Sequence, residues 1–104
     1  MSHLYILDNK IPVPVEDTET WGRWFNNIEN RRVAQTEETN WVVSTVFLGI
    51  DHRFTNQGAP QFFETQVFGG DFHEQIWRYA TWEEAEAGHK EVVALIKAQS
   101  DRND

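Results

Sequence analysis

The 104-residue chain contains no cysteine, which excludes disulfide bonds, thiolate metal sites and cysteine nucleophiles. It also lacks any apolar run close to the roughly 20 residues that span a bilayer, and residues 1–5 lack the basic and apolar pattern of a signal peptide. Repeats and Pro/Gly/Ser-rich linkers are missing as well. We therefore expect one soluble domain over residues 1–104, with a frayed polar tail at 100–104 and a cytoplasmic location without membrane contact.

Basic residues are scarce, because nine Lys and Arg stand against 17 Asp and Glu, for a formal net charge of −8. Affinity for nucleic acids depends largely on Lys and Arg contacts to phosphate, so we expect no direct nucleic-acid binding. The same acidity favours basic partners. Aromatic residues, by contrast, reach 13% of the chain. Such large apolar side chains can offset the entropy lost on folding, which argues against disorder.

The hydrophobic pattern predicts an α+β fold with the order β-(β)-α-β-β-β-β-α: a four- to five-stranded antiparallel meander sheet flanked by two helices. The predicted elements are a strand at 3–7, an extended proline-containing segment at 11–15, a helix at 18–29, strands at 32–36, 41–48 and 61–68, a return strand that ends near 80, and a helix at 82–98. Gly69-Gly70 predicts a two-residue hairpin turn. Thr81 and Glu84 form a capping box at the start of the last helix.

The strongest predicted strand has two mostly apolar faces. Its alternation places Trp41, Val43, Thr45 and Phe47 on one face and Val42, Ser44, Val46 and Leu48 on the other. Two helices can cover only one face of such a sheet. The second face must then be covered by the proline segment, be buried in a partner, or line a ligand pocket, because a large exposed apolar patch is unusual on a monomer. We therefore predict self-association, most simply as a homodimer.

Polar residues that could carry chemistry are scattered along the chain. Asp51-His52-Arg53 lies in the long loop after the strongest strand, where either a binding site or a plain surface salt bridge is expected. His73, beside Glu74, could join residues of that loop and Glu64 in a metal site, but no metal-binding spacing such as HExxH is present. A solvated hairpin end is the simpler interpretation of His73.

Three further residues lie among apolar neighbours. His89 falls in the apolar stripe of the last helix. It is either a core histidine with a hydrogen-bond partner or a residue that faces a pocket. Glu64 and Arg78 on the sheet predict an ion pair or a ligand contact. The candidate ligand-binding residues are Asp51, His52, Arg53, Glu64, His73, Arg78 and His89. No catalytic residue, metal ligand or cofactor is assigned.

Three segments, at residues 43–52, 63–70 and 78–89, resemble small uncharacterised proteins encoded in bacteriophage and prophage genomes. The resemblance covers about the last two-thirds of the chain. It implies a viral accessory protein in the cytoplasm of a bacterial host, and it carries no known activity or catalytic residue.

Four functions remain open at this point. The first is a non-enzymatic accessory protein that binds or inhibits a host protein, in counteraction of host defence. The second is a small-ligand protein that sequesters a nucleotide signal, with Arg53, Arg78 and His89 beside aromatic rings. The third is a small metal-dependent hydrolase, and the fourth is a mimic of DNA through its acidic surface. Because no catalytic motif is present, the interaction protein ranks first.

Overall fold

The computed structural model describes residues 3–51 and 58–102 and confirms the predicted α+β fold. Its elements are β1 (Leu4–Asp8), β2 (Ile11–Val15), α1 (Thr18–Asn26), α2 (Ile28–Arg31), β3 (Arg32–Glu37), β4 (Val42–Phe47), β5 (Phe63–Phe68), β6 (Ile76–Tyr79) and α3 (Trp82–Arg102). Strands β3 to β6 form the predicted antiparallel meander, in chain order. No helix in these ranges is long and apolar enough to cross a membrane.

The proline-containing segment pairs with β1 in a separate two-stranded sheet, with Leu7 opposite Pro12 and Tyr5 opposite Pro14. A proline lacks an amide donor, so it is tolerated on a strand whose other edge is unpaired. The hairpin docks on the larger sheet at one end: the Tyr5 amide donates to the Gly49 carbonyl at 2.8 Å, and the Tyr5 ring centroid lies 4.6 Å from that of Phe62.

The predicted helix at 18–29 is divided in two by Asn27. The side chain of Asp17 caps α1 by accepting the Glu19 amide at 3.1 Å. Asn27 then leaves the helical conformation, with a ψ of 103°, and its side chain accepts the Glu29 amide to begin α2. Asparagine side chains compete with the helical backbone for hydrogen bonds, which explains why the periodic pattern ends early.

The predicted two-residue turn at Gly69-Gly70 is wrong. Both glycines do adopt positive φ, at 86° and 74°, but β6 begins only at Ile76. The Glu74 amide donates to the Val67 carbonyl at 2.8 Å, so the chain makes a longer connection before it returns to the sheet. Glu74 itself has a φ of 72°, a conformation that its sequence gives little reason to expect.

Helix α3 packs across one face of the four-stranded sheet. The side of the helix that is buried in this contact is its predicted apolar stripe. Two apolar clusters form there: Val43, Val67, Val92 and Ile96 in one, and Phe47, Phe62, Phe63 and Ala85 in the other. Trp24 of α1 joins the second cluster, with its ring edge on Phe47 at a centroid distance of 5.8 Å. Both long helices therefore contribute to the same face, as the sequence predicted.

Candidate functional site

A cluster of hydrogen-bonded polar side chains lies between the two apolar clusters. His89 on α3 is 5% exposed, and its Nε2 lies 2.9 Å from Oγ1 of Thr36 on β3. Its Nδ1 lies 2.7 Å from Oγ1 of Thr45 on β4, which in turn lies 2.5 Å from Oγ1 of Thr65 on β5. Both ring nitrogens thus have partners, which confirms the interpretation of His89 as a satisfied core residue.

Burial lowers the pKa of His89 below its ordinary value, because desolvation disfavours the charged imidazolium. The ring is therefore neutral at pH 7, with one nitrogen as donor and the other as acceptor. A threonine hydroxyl can serve either role, so the Thr36–His89–Thr45–Thr65 chain is satisfied in a neutral state. This arrangement links three strands to α3 and holds a structural histidine rather than a catalytic base that reaches solvent.

Tyr79 extends this polar cluster towards β6. Burial raises the pKa of its hydroxyl, and the Tyr79 oxygen has no hydrogen-bond partner within 3.5 Å among the described residues. The Tyr79 ring lies directly over Gly88, where any Cβ atom would overlap it. A glycine in the middle of α3 is therefore required by this contact.

The predicted sheet residues Glu64 and Arg78 form an ion pair on the face opposite α3. They are directly opposed in the β5–β6 register, and Nε of Arg78 lies 3.1 Å from Oε2 of Glu64. The side chains are 15% and 32% exposed for Glu64 and Arg78. A cross-strand pair at this exposure contributes about 0.2–1 kcal/mol. The charges satisfy each other, so the pair itself is not poised for catalysis.

The remaining predicted site residues lie at opposite ends of the sheet. The Asp51 carboxylate accepts the Gln61 amide at 2.8 Å, which ties together the two ends of the loop after β4. His52 and Arg53 lie outside the described residues. At the other end, Nδ1 of His73 accepts the Gly69 amide at 2.8 Å, and Nε2 lies 3.5 Å from Glu74 Oε1.

The five candidate residues that the structure describes therefore do not converge on one site. Asp51 and His73 lie at opposite ends, Glu64 and Arg78 lie on one sheet face, and His89 lies on the other. Within residues 3–51 and 58–102, no group of three or more His, Asp or Glu side chains could hold a metal ion. The hydrolase hypothesis gains no support from the described part of the chain.

The face of the sheet that carries Glu64 and Arg78 has no buried residue at its alternating positions in β4, β5 and β6. Phe68 and Ile76 are 44% and 46% exposed, Arg78 is exposed as well, and the other members of this face on β4 and β5 are half-buried. We call this surface the open face; its members on the three strands are Val42, Ser44, Val46, Glu64, Gln66, Phe68, Ile76 and Arg78. Its apolar members and the central ion pair make this face a candidate binding surface, as the apolar alternation of β4 predicts.

Comparison of the chain with protein-family models, with curated proteins and with solved structures finds no match. The resemblance to phage-encoded proteins thus stays a prediction. The function must be argued from the surfaces of the molecule alone.

Sequence reasoning missed the two threonines that hydrogen-bond His89, Thr36 and Thr45, and the further contact from Thr45 to Thr65. Thr45 was placed on the apolar face of its strand, but nothing connected it to a histidine 44 residues further on. The available signal was the combination of a polar residue in the middle of an apolar strand face and a polar residue in the middle of an apolar helix stripe. When the two surfaces pack, such residues must meet or remain unsatisfied.

Proposed function

We propose that this protein is a non-enzymatic binding protein, and that the open face docks a basic partner protein. The observation that carries the proposal is the exposure of Phe68 and Ile76 on a sheet face that has no buried residue on β4–β6. Exposed large apolar residues that cluster on one surface are typical of protein interfaces.

The charge distribution favours a basic partner. Between Arg32 and Tyr79, the segment that contains the four-stranded sheet, six carboxylates stand against three arginines, which leaves an excess of three negative charges. Glu37 lies opposite Val42 in the β3–β4 register, and Val42 lies opposite Phe68, so an acidic residue borders the exposed apolar end of the face. A partner with Lys and Arg around an apolar centre would complement this pattern.

The negative net charge disfavours a second copy of the chain as the partner that covers the open face. Two molecules of net charge −8 repel each other, and an isologous contact would bring the same acidic border together twice. The homodimer that the apolar pattern predicts therefore ranks behind a different protein. The phage resemblance favours a protein of the bacterial host as this partner, in the bacterial cytoplasm.

The chain offers a matched pair of variants for the test. Ile76 on the open face and Leu95 on α3 are both 46% exposed, so Ile76→Glu and Leu95→Glu make the same kind of change at the same exposure. Tagged wild-type protein and both variants are used for capture from bacterial lysate at low and high salt. Light scattering after size exclusion gives the mass of the purified protein.

We expect one partner at stoichiometric yield with the wild type and with Leu95→Glu, its loss with Ile76→Glu, and weaker capture as salt increases. Equal capture by Ile76→Glu would remove the open face as the docking site. A purified wild-type dimer that Ile76→Glu converts to a monomer would show that a second copy fills the face, and it would overturn the choice of occupant.

A further inference from the structure

A cavity of about 490 Å³ lies at the acidic end of the sheet, on the side of α3 rather than on the open face. Three elements surround it: the β3–β4 turn, the β5–β6 connection and the C-terminal part of α3. Its lining includes Glu38, Trp41, Asp71, Phe72, Ile96 and Lys97. Its volume lies within the range of small-ligand pockets, about 300–1,000 Å³.

The inner wall of the cavity is apolar and continuous with the core. Trp41 and Phe72 pack against the cluster that contains Ile96, and all three residues line the cavity. Backbone hydrogen bonds hold the walls in place: the Glu38 amide donates to the Trp41 carbonyl at 2.9 Å, and the Gln75 amide donates to the Phe72 carbonyl at 3.0 Å. The aromatic wall is therefore formed before any ligand arrives.

The charged residues around the cavity are mostly acidic. Two carboxylates, Glu38 and Asp71, face one base, Lys97, which leaves a net charge of −1 (two acids and one base). Among the described residues, the Glu38 carboxylate has no hydrogen-bond or ion-pair partner. Aromatic rings beside carboxylates are the surroundings that suit a cation, because the ring face attracts positive charge and the carboxylate adds Coulomb attraction.

We propose that this cavity binds an alkyl cation, a positively charged amine or guanidinium on an aliphatic stem. The stem would contact Trp41, Phe72 and Ile96, and the charge would lie towards Glu38 and Asp71. Two sources have this chemistry, a Lys or Arg side chain of a bound protein and a free polyamine. The cavity and the open face are separate surfaces, so this inference does not depend on the proposed docking function.

The test is an NMR titration of the full chain, followed through the Trp41 indole and the Gly70 amide. The probes are cadaverine for a free polyamine, N-acetyl-lysine methylamide for a side chain on a backbone, and N-acetyl-norleucine methylamide as a neutral control with a similar stem. Two variants change the charge of the lining in opposite directions: Glu38→Gln removes an acid and Lys97→Gln removes the base. Glu86→Gln, an exposed acid near the other end of α3, is the matched control.

We expect both cationic probes to shift the two resonances, and the norleucine compound to leave them unchanged. Glu38→Gln should weaken binding by about two- to fivefold, Lys97→Gln should tighten it by a similar factor, and Glu86→Gln should change it by less than that. If cadaverine binds more tightly than the lysine compound, the ligand is a free polyamine. If the lysine compound binds more tightly, the ligand is a side chain of a bound protein. The proposal would be overturned if the neutral probe shifted the two resonances as much as the cations do, or if neither cation shifted them. It would also be overturned if Glu38→Gln and Lys97→Gln did not change the affinity in opposite directions.

Discussion

Nδ1 of His89 lies 2.7 Å from the hydroxyl oxygen of Thr45, and this contact joins the middle of α3 to the middle of the sheet. The two residues are 44 positions apart in sequence. Apolar clusters lie on both sides of the contact, around Val43 and around Phe47. The polar contact therefore fixes how α3 sits on the sheet, and apolar packing on either side stabilises the arrangement.

Acidification should destabilise the fold through His89. Its folded pKa is lowered by burial, so the unfolded chain binds the proton more readily. The free energy of unfolding should be highest above the ordinary histidine value, about 6.5, and should decrease as pH falls from there towards the lower folded pKa. Urea unfolding at pH 7.5 and at pH 5.5 measures the difference.

The control for that experiment is His89→Gln, which keeps a polar side chain and removes the titration. All other titratable groups are common to the two proteins, so the wild type should lose more stability than the variant between the two pH values. An equal loss in both proteins would show that His89 does not carry the pH dependence.

Thr45→Val should destabilise the protein by about 1–3 kcal/mol, because the hydroxyl is fully buried and bridges His89 and Thr65. Valine fills a similar volume but leaves the histidine nitrogen and the Thr65 hydroxyl with one partner fewer. Denaturant unfolding measures the effect. Ser44→Ala, the neighbouring position on the open face, should change stability by less than about 0.5 kcal/mol, and a comparable loss at both positions would contradict the role given to Thr45.

Gly88→Ala should destabilise the protein, although the same change in a free helix would stabilise it by about 0.5–1 kcal/mol. The added methyl group would overlap the Tyr79 ring. Gly22 on α1 provides the matched control, because nothing lies within 4 Å of a Cβ built there, so Gly22→Ala should raise the melting temperature. A stabilised Gly88→Ala protein would show that Tyr79 does not pack over this glycine.

The fold followed from local pattern, but the polar sites did not. Alternation along β4 gave its two faces, and the Thr81 cap is confirmed, since Thr81 Oγ1 accepts the Glu84 amide at 3.1 Å. The β5–β6 connection was missed because Glu74 takes a positive φ that only the surrounding contacts impose. The partners of His89, Thr36 and Thr45, come from two different strands, and sequence alone does not specify which strand residues a helix meets.

The Glu64–Arg78 pair should matter little for stability, because both side chains are partly solvated. Glu64→Gln and Arg78→Gln should each change the free energy of unfolding by less than about 1 kcal/mol. A double-mutant cycle in urea measures the coupling. A coupling energy well above 1 kcal/mol would mean that the open face is less accessible to water than its exposure indicates.

Photo-cross-linking in bacterial cells is the sharpest test of whether the open face docks a basic partner. A photoreactive side chain replaces Gln66, in the middle of the open face, and in a second protein it replaces Glu86 on α3. We expect a cross-link from position 66 to one basic protein and no such product from position 86. Cross-links from position 66 only to another copy of this chain, or the same product from both positions, would contradict it.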